Sequence, residues 1–93
     1  MRIDPALPGA DVVSEGLADL AQGRETAASL LVTIGAGRLR RLGIDVPASS
    51  WPDPETRLYQ MLARSDEDSA HSRYNALLRL LVSFERAAEC AVR

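Results

Sequence analysis

Apolar residues recur along the C-terminal third of the chain at alternating intervals of four and three: Ala70, Tyr74, Leu77, Leu81, Phe84, Ala88 and Ala91. This is the a/d repeat of a coiled coil, held for about three heptads. It predicts one amphipathic helix from Ser65 to Arg93. Ser65 to Asp68 reads as its capping-box-like start, with aspartate where glutamate or glutamine is usual. The flanks of the seam are apolar too, with Leu78 and Val82 on one side and Leu80 and Ala87 on the other. Ser72, Asn75, Arg79, Ser83 and Arg86 form the polar strip. At about 1.5 Å per residue the helix would span about 40 Å, against a diameter of about 30 Å for a compact domain of this size. The expectation is a rod that serves as the spine of the molecule and outruns its own domain, buried on one side by this chain and on the other by a second chain.

Upstream, residues 1–10 carry Pro5, Pro8 and Gly9 and read as an irregular, mobile lead-in. Residues 11–93 read as a single helical domain. Asp11 is a candidate N-cap for a helix reaching about Gln22, with Val13, Leu17, Leu20 and Ala21 at helical spacing. Gly23 suits a C-cap, although the stripe keeps its phase across Gly23 and one long helix over 11–42 is the competing reading. A second helix is expected from about Glu25 to Leu42, burying Ala27, Leu30, Leu31, Ile34 and Leu39. Its end is well marked. Arg38, Arg40 and Arg41 complement the helix dipole, Gly43 suits the left-handed position, and Ile44 can return to Leu39 in a Schellman motif. After a loop over 45–52, Asp53-Pro54-Glu55 has the form of a helix start. The short third helix, about Pro54 to Arg64, should bury Leu58, Tyr59 and Leu62. No segment alternates like a strand. The fold class is therefore all-α, a small three- or four-helix bundle with a long C-terminal helix.

Composition narrows the setting. The chain has 93 residues, a net charge of −2, one cysteine and one histidine. A chain this short buries only about 60–65% of its unfolded surface. With no intrachain disulfide possible and no zinc-ligand set, association is the remaining supplement to stability. The lone thiol and the lack of an apolar leader or an apolar run of membrane-spanning length point to a cytoplasmic protein. All 11 basic residues are arginine. Together with abundant alanine, that suggests a GC-rich, hence bacterial, coding source. The slightly acidic balance argues against a dedicated nucleic-acid binder.

Candidate chemistry is sparse. Gly35-Ala36-Gly37 follows an apolar run, but Arg40 stands where a dinucleotide fingerprint needs a third glycine. The two glycines read instead as a helix bend or a point of close approach. Arg38, Arg40 and Arg41 are a possible anion or partner contact, without interleaved aromatics for base stacking. Glu85 falls inside the apolar arc and requires a partner; a registry salt bridge to an arginine on a neighbouring helix is the expected one. Cys90 has no nearby base to activate it. Trp51 reads as a plug at the bundle end. The Asp66-Glu67-Asp68 cluster is explained by a helix N-terminus without a metal.

His71 can pair with Glu67 at i,i+4. Arg64 precedes it with six residues between. That spacing resembles the Arg-x4–6-His signature of the HEPN ribonucleases, small all-α bundles that dimerise to build an active site. The likeness covers two residues. It implies a dimeric, metal-independent ribonuclease with Arg64 and His71 as catalytic residues.

Weighed together, the residues favour a non-enzymatic helical protein–protein interaction module with no cofactor and no metal. It would be a homodimer, or pair with another helical protein, through Tyr74, Leu77, Leu78, Leu81, Phe84, Glu85 and Ala88. Small antitoxin-type proteins that neutralise or scaffold a partner are the analogy. The ribonuclease and a DNA-binding regulator using the arginines of the second helix are the alternatives.

Overall fold

The computed structural model describes residues Ile3 to Ala91, and among these every regular element is helical. In chain order the helices are α1 (Ala10–Ala21), α2 (Ala27–Ile34), α3 (Ala36–Arg41), α4 (Pro54–Ser65) and α5 (Ala70–Ala91). They pack as a bundle of 40 × 25 × 18 Å. Residues Val92 and Arg93, the end of the expected final helix, lie outside the described residues. No helix among the described residues is long and apolar enough to cross a membrane.

The break at Gly23 decides between one helix and two. Gly23 adopts φ 73°, its N–H donates to the Leu20 carbonyl, and the Arg24 N–H reaches back to Asp19. These are the paired bonds of a Schellman motif. α1 opens not on Asp11 but on Gly9, in the left-handed region at φ 76°. Gly9 is buried, with Leu80 of α5 lying where a side chain would start. Ile3 and Leu7 of the irregular lead-in also pack against the core.

The expected second helix is two helices, which raises the total to five. Its start is two residues later than Glu25, at a capping box: Thr26 Oγ1 accepts from the Ser29 N–H, and Ser29 Oγ accepts from the Thr26 N–H. The helix then breaks at Gly35. At the far end the expected Schellman motif is present, with Gly43 at φ 89° and bonds from Gly43 to Arg40 and from Ile44 to Leu39.

α2, not α5, is the central element. It packs against α1, α3, α4 and α5, and Ser29, Leu30, Leu31 and Val32 are fully enclosed. Its apolar run (Leu30-Leu31-Val32) allows burial on every side, which suits a short helix at the middle of a bundle. α1 reaches it through Gly16. A Cβ there would sit 2.3 Å from the Ala28 carbonyl oxygen and 2.8 Å from Val32 Cγ1, so the two helices meet at backbone distance.

Two expectations at the start of α4 and on its face are corrected. Asp53 precedes Pro54 as expected but lies at φ 51° and makes no side-chain cap. Tyr59 is exposed at 39%. It sits at the bundle edge, edge-to-face with Tyr74 at 5.6 Å between ring centroids, while Leu58 and Leu62 carry the burial.

The final helix starts at Ala70 rather than Ser65. Ser65 closes α4, and residues 66–69 form a turn in which the Asp68 N–H donates to Asp66 Oδ1. With 22 residues, α5 is about 33 Å long at about 1.5 Å per residue. It is shorter than the rod expected over 65–93, because residues 66–69 form a separate turn.

Candidate functional site

The a/d seam of α5 is consumed inside the chain. Ala70, Leu81, Phe84 and Ala88 are buried in the single subunit, and Tyr74 and Leu77 are half-covered. Ala91 is exposed. Leu81, Phe84 and Ala88 are therefore core residues, because α2 and α4 cover the face that a second chain was expected to cover.

What α5 leaves open is its flank. Leu78 and Val82 are half-buried and project between two adjoining clefts. The first, of about 400 Å³, lies between α5 and the α2–α3 junction; Ile34, Gly35, Leu81 and Glu85 line it, with Arg38 and Arg41 at its edge. The second is an open strip on the outer side of α5, lined by that helix alone, where Arg79 and Arg86 flank Leu78 and Val82. The surface is thus an apolar ridge with a pair of arginines along each side.

Glu85 is the polar residue at the bottom of the first cleft. It is 7% exposed. Its Oε1 stands 3.7 Å from Nη1 of Arg38, an ion pair of the kind expected from its place in the apolar arc. That separation is too long for a hydrogen bond. Oε2 is buried without a hydrogen-bond partner among the described residues. Burial pushes the Glu85 carboxyl above its ordinary pKa, and the nearby Arg38 charge offsets this only in part. Gly35 permits the arrangement, because a Cβ there would meet both Leu81 methyls at 3.0 Å and Glu85 Oε2 at 3.2 Å. The sequence singles out Glu85 and Arg38 separately, but nothing in it pairs them.

The other arginines separate. Arg40 turns away and donates to the Val46 carbonyl at 3.0 Å, tying the loop to α3. Arg38 and Arg41 alone of the three border the cleft.

Arg64 and His71 fall on different helices, in the last turn of α4 and the first turn of α5, and both are exposed. His71 Nε2 contacts Asn75 Nδ2 at 3.2 Å, not Glu67, which the turn at 66–69 removes from the helix. Neither residue lines the clefts described above. No group of His, Cys, Asp and Glu among the described residues could hold a metal ion. Cys90 is exposed. Trp51 is half-buried and packs on the core.

One polar cluster escaped the sequence reading. Asp19, 7% exposed, accepts a hydrogen bond from Thr26 Oγ1 at 2.8 Å and pairs with Arg24 at 3.1 Å. This network welds the α1–α2 corner and is satisfied within the chain. Its signal was the Thr26-x-x-Ser29 spacing, which marks a cap but does not point to Asp19.

Comparison with known proteins returns no matching family model, no matching curated protein and no matching solved structure.

Proposed function

We propose that this chain is a non-enzymatic helical interaction module whose contact surface is the face formed by α3 and the outer flank of α5. The observation that carries the reading is the conjunction at one place of half-buried Leu78 and Val82 with a buried carboxylate oxygen that has no hydrogen-bond partner among the described residues. A group in that state costs free energy. The partly exposed apolar side chains beside it supply area for a contact. No nucleophile–base pair accompanies them, which favours binding over catalysis. Association through Leu81, Phe84 and Ala88 would require opening the core, so contact with a copy or with another protein belongs on the Leu78–Val82 side. Neutralising or scaffolding a bacterial partner fits such a module by analogy only.

The test is site-specific photo-crosslinking in cells that produce the protein. A photoreactive residue at Val82 should yield a defined protein adduct, and one at Asp11, on the exposed face of α1, should not. Equal labelling from both positions, or none from Val82, would sink the proposal.

A further inference from the structure

The charge of this face says what kind of partner it takes. Arg38 is 69% exposed along its side chain, and Arg41, Arg79 and Arg86 are exposed as well. Glu85 is the one acidic residue lining the two clefts, and it is buried. An isologous dimer presents the same patch from both subunits. Here it would set the arginines of one copy against those of the other, which opposes pairing. The acidic helix α1 of a second copy is no better. Its apolar residues Ala10, Val13 and Leu20 are spent in its own core, leaving Asp11, Ser14, Glu15 and Ala18 outward.

Resting on the interaction reading above, we propose that this face docks an amphipathic helix of a different protein, one whose apolar stripe is bordered by aspartate and glutamate. The stripe would lie along Leu78 and Val82, as in helix-in-groove recognition. The acidic borders would meet Arg38 and Arg41 on one side and Arg79 and Arg86 on the other. A nucleic acid fits less well, because the clefts carry no aromatic side chain and the Glu85 carboxylate sits in the floor. An anionic membrane would meet the same carboxylate.

The experiment is selection from a displayed library of amphipathic helices with a constant apolar stripe and randomised flanks, panned against the intact chain. Binders should be enriched in Asp and Glu over Lys and Arg at the flanks. The double variant Arg79→Glu, Arg86→Glu should weaken a selected acidic peptide by about tenfold or more, which corresponds to about 1.4 kcal/mol. The same variant should tighten the peptide's Lys-flanked counterpart. Circular dichroism verifies that the variant folds; its sites are exposed. Enrichment of basic flanks that still depends on Leu78 and Val82 would overturn the acidic partner while sparing the docking surface. No enrichment at all, or equal binding by a Leu78→Ser, Val82→Ser variant, would remove both. Preferential binding of a single-stranded oligonucleotide or of phosphatidylglycerol vesicles, or a dimer occluding this face in sedimentation, would also overturn the inference.

Discussion

Arg38 reaches to 3.7 Å from Oε1 of Glu85 and leaves Oε2 of the same carboxylate buried and without a hydrogen bond among the described residues. The pair spans α3 and α5, so one loosely paired acid links the exposed end of the α2–α3 arm to the long helix. Burial dominates its titration and raises its pKa. Between the ordinary carboxylate value and the raised one, the folded chain holds a proton that the unfolded chain has released. Stability contributed at this residue therefore falls as pH rises through that window. Glu85→Gln should be more stable than the parent at neutral pH, and the difference should shrink to nothing below the ordinary carboxylate pKa. Thermal melts of both chains across that range check this; a variant less stable than the parent at neutral pH contradicts it.

Glu25 should show the opposite slope. Its carboxylate receives two hydrogen bonds from Arg57, at 2.5 and 2.9 Å, and these hold its pKa below the ordinary value. A lowered pKa gives stability that is present above the ordinary carboxylate range and lost as pH falls through the depressed value. Glu25→Gln should lower the melting temperature slightly at neutral pH and have no effect in acid. The pair lies at the surface, so added salt should shrink the neutral-pH difference.

Gly16→Ala tests the α1–α2 contact. The added methyl would fall 2.3 Å from the Ala28 carbonyl oxygen, and backbone has little freedom to yield. Overpacking of this kind costs about 1–3 kcal/mol or more. A loss of 1 kcal/mol shifts the melting temperature by about 4–8 °C in a domain of this size. Gly23→Ala is the control: its φ is positive but nothing lies within 4 Å of the added atom, so only the conformational penalty of about 1–2 kcal/mol applies. Gly16→Ala should be the more damaging of the two.

Leu78→Asp and Leu81→Asp separate surface from core on the same helix. Leu81 is 4% exposed beside Phe84 at 0%. A carboxylate there costs several kcal/mol out of a total stability of about 5–15 kcal/mol. Leu81→Asp should give an unfolded chain and Leu78→Asp a folded one, as read by circular dichroism. If Leu81→Asp folds and merely dissociates an oligomer, the seam is an interface after all.

Thr26→Val removes the hydroxyl that donates to Asp19 and accepts from Ser29. Leaving buried polar groups unsatisfied at this corner should cost about 1–3 kcal/mol. Hydrogen exchange should rise first in the amides near Asp19 and Ser29, because they flank the broken corner.

Local chemistry was legible wherever it acts between neighbours in the chain. The periodicity of residues 70–88, the Gly43 turn with its Schellman bonds, and the proline start of α4 follow from backbone and capping rules that operate within a few residues, whereas at Gly23 the unbroken stripe left one helix or two open. The all-helical class follows from the same patterns. So did the expectation that Glu85, trapped in an apolar arc, would find an arginine on another helix. Errors at helix starts have a local cause as well. Asp11 and Ser65 carry cap-forming side chains, but Gly9 and the turn at 66–69 set where the chain enters α1 and α5.

Tertiary packing alone decided the rest. An a/d seam states that a stripe must be buried but not by what, since burial of apolar area is non-directional. The fold answers with α2 and α4 of the same chain, and it shifts the open surface to Leu78 and Val82. The pairing of Arg38 with Glu85, the enclosure of α2 and the backbone contact at Gly16 arise between segments distant in sequence. No spacing rule reaches across such distances, because their geometry exists only once the helices are packed.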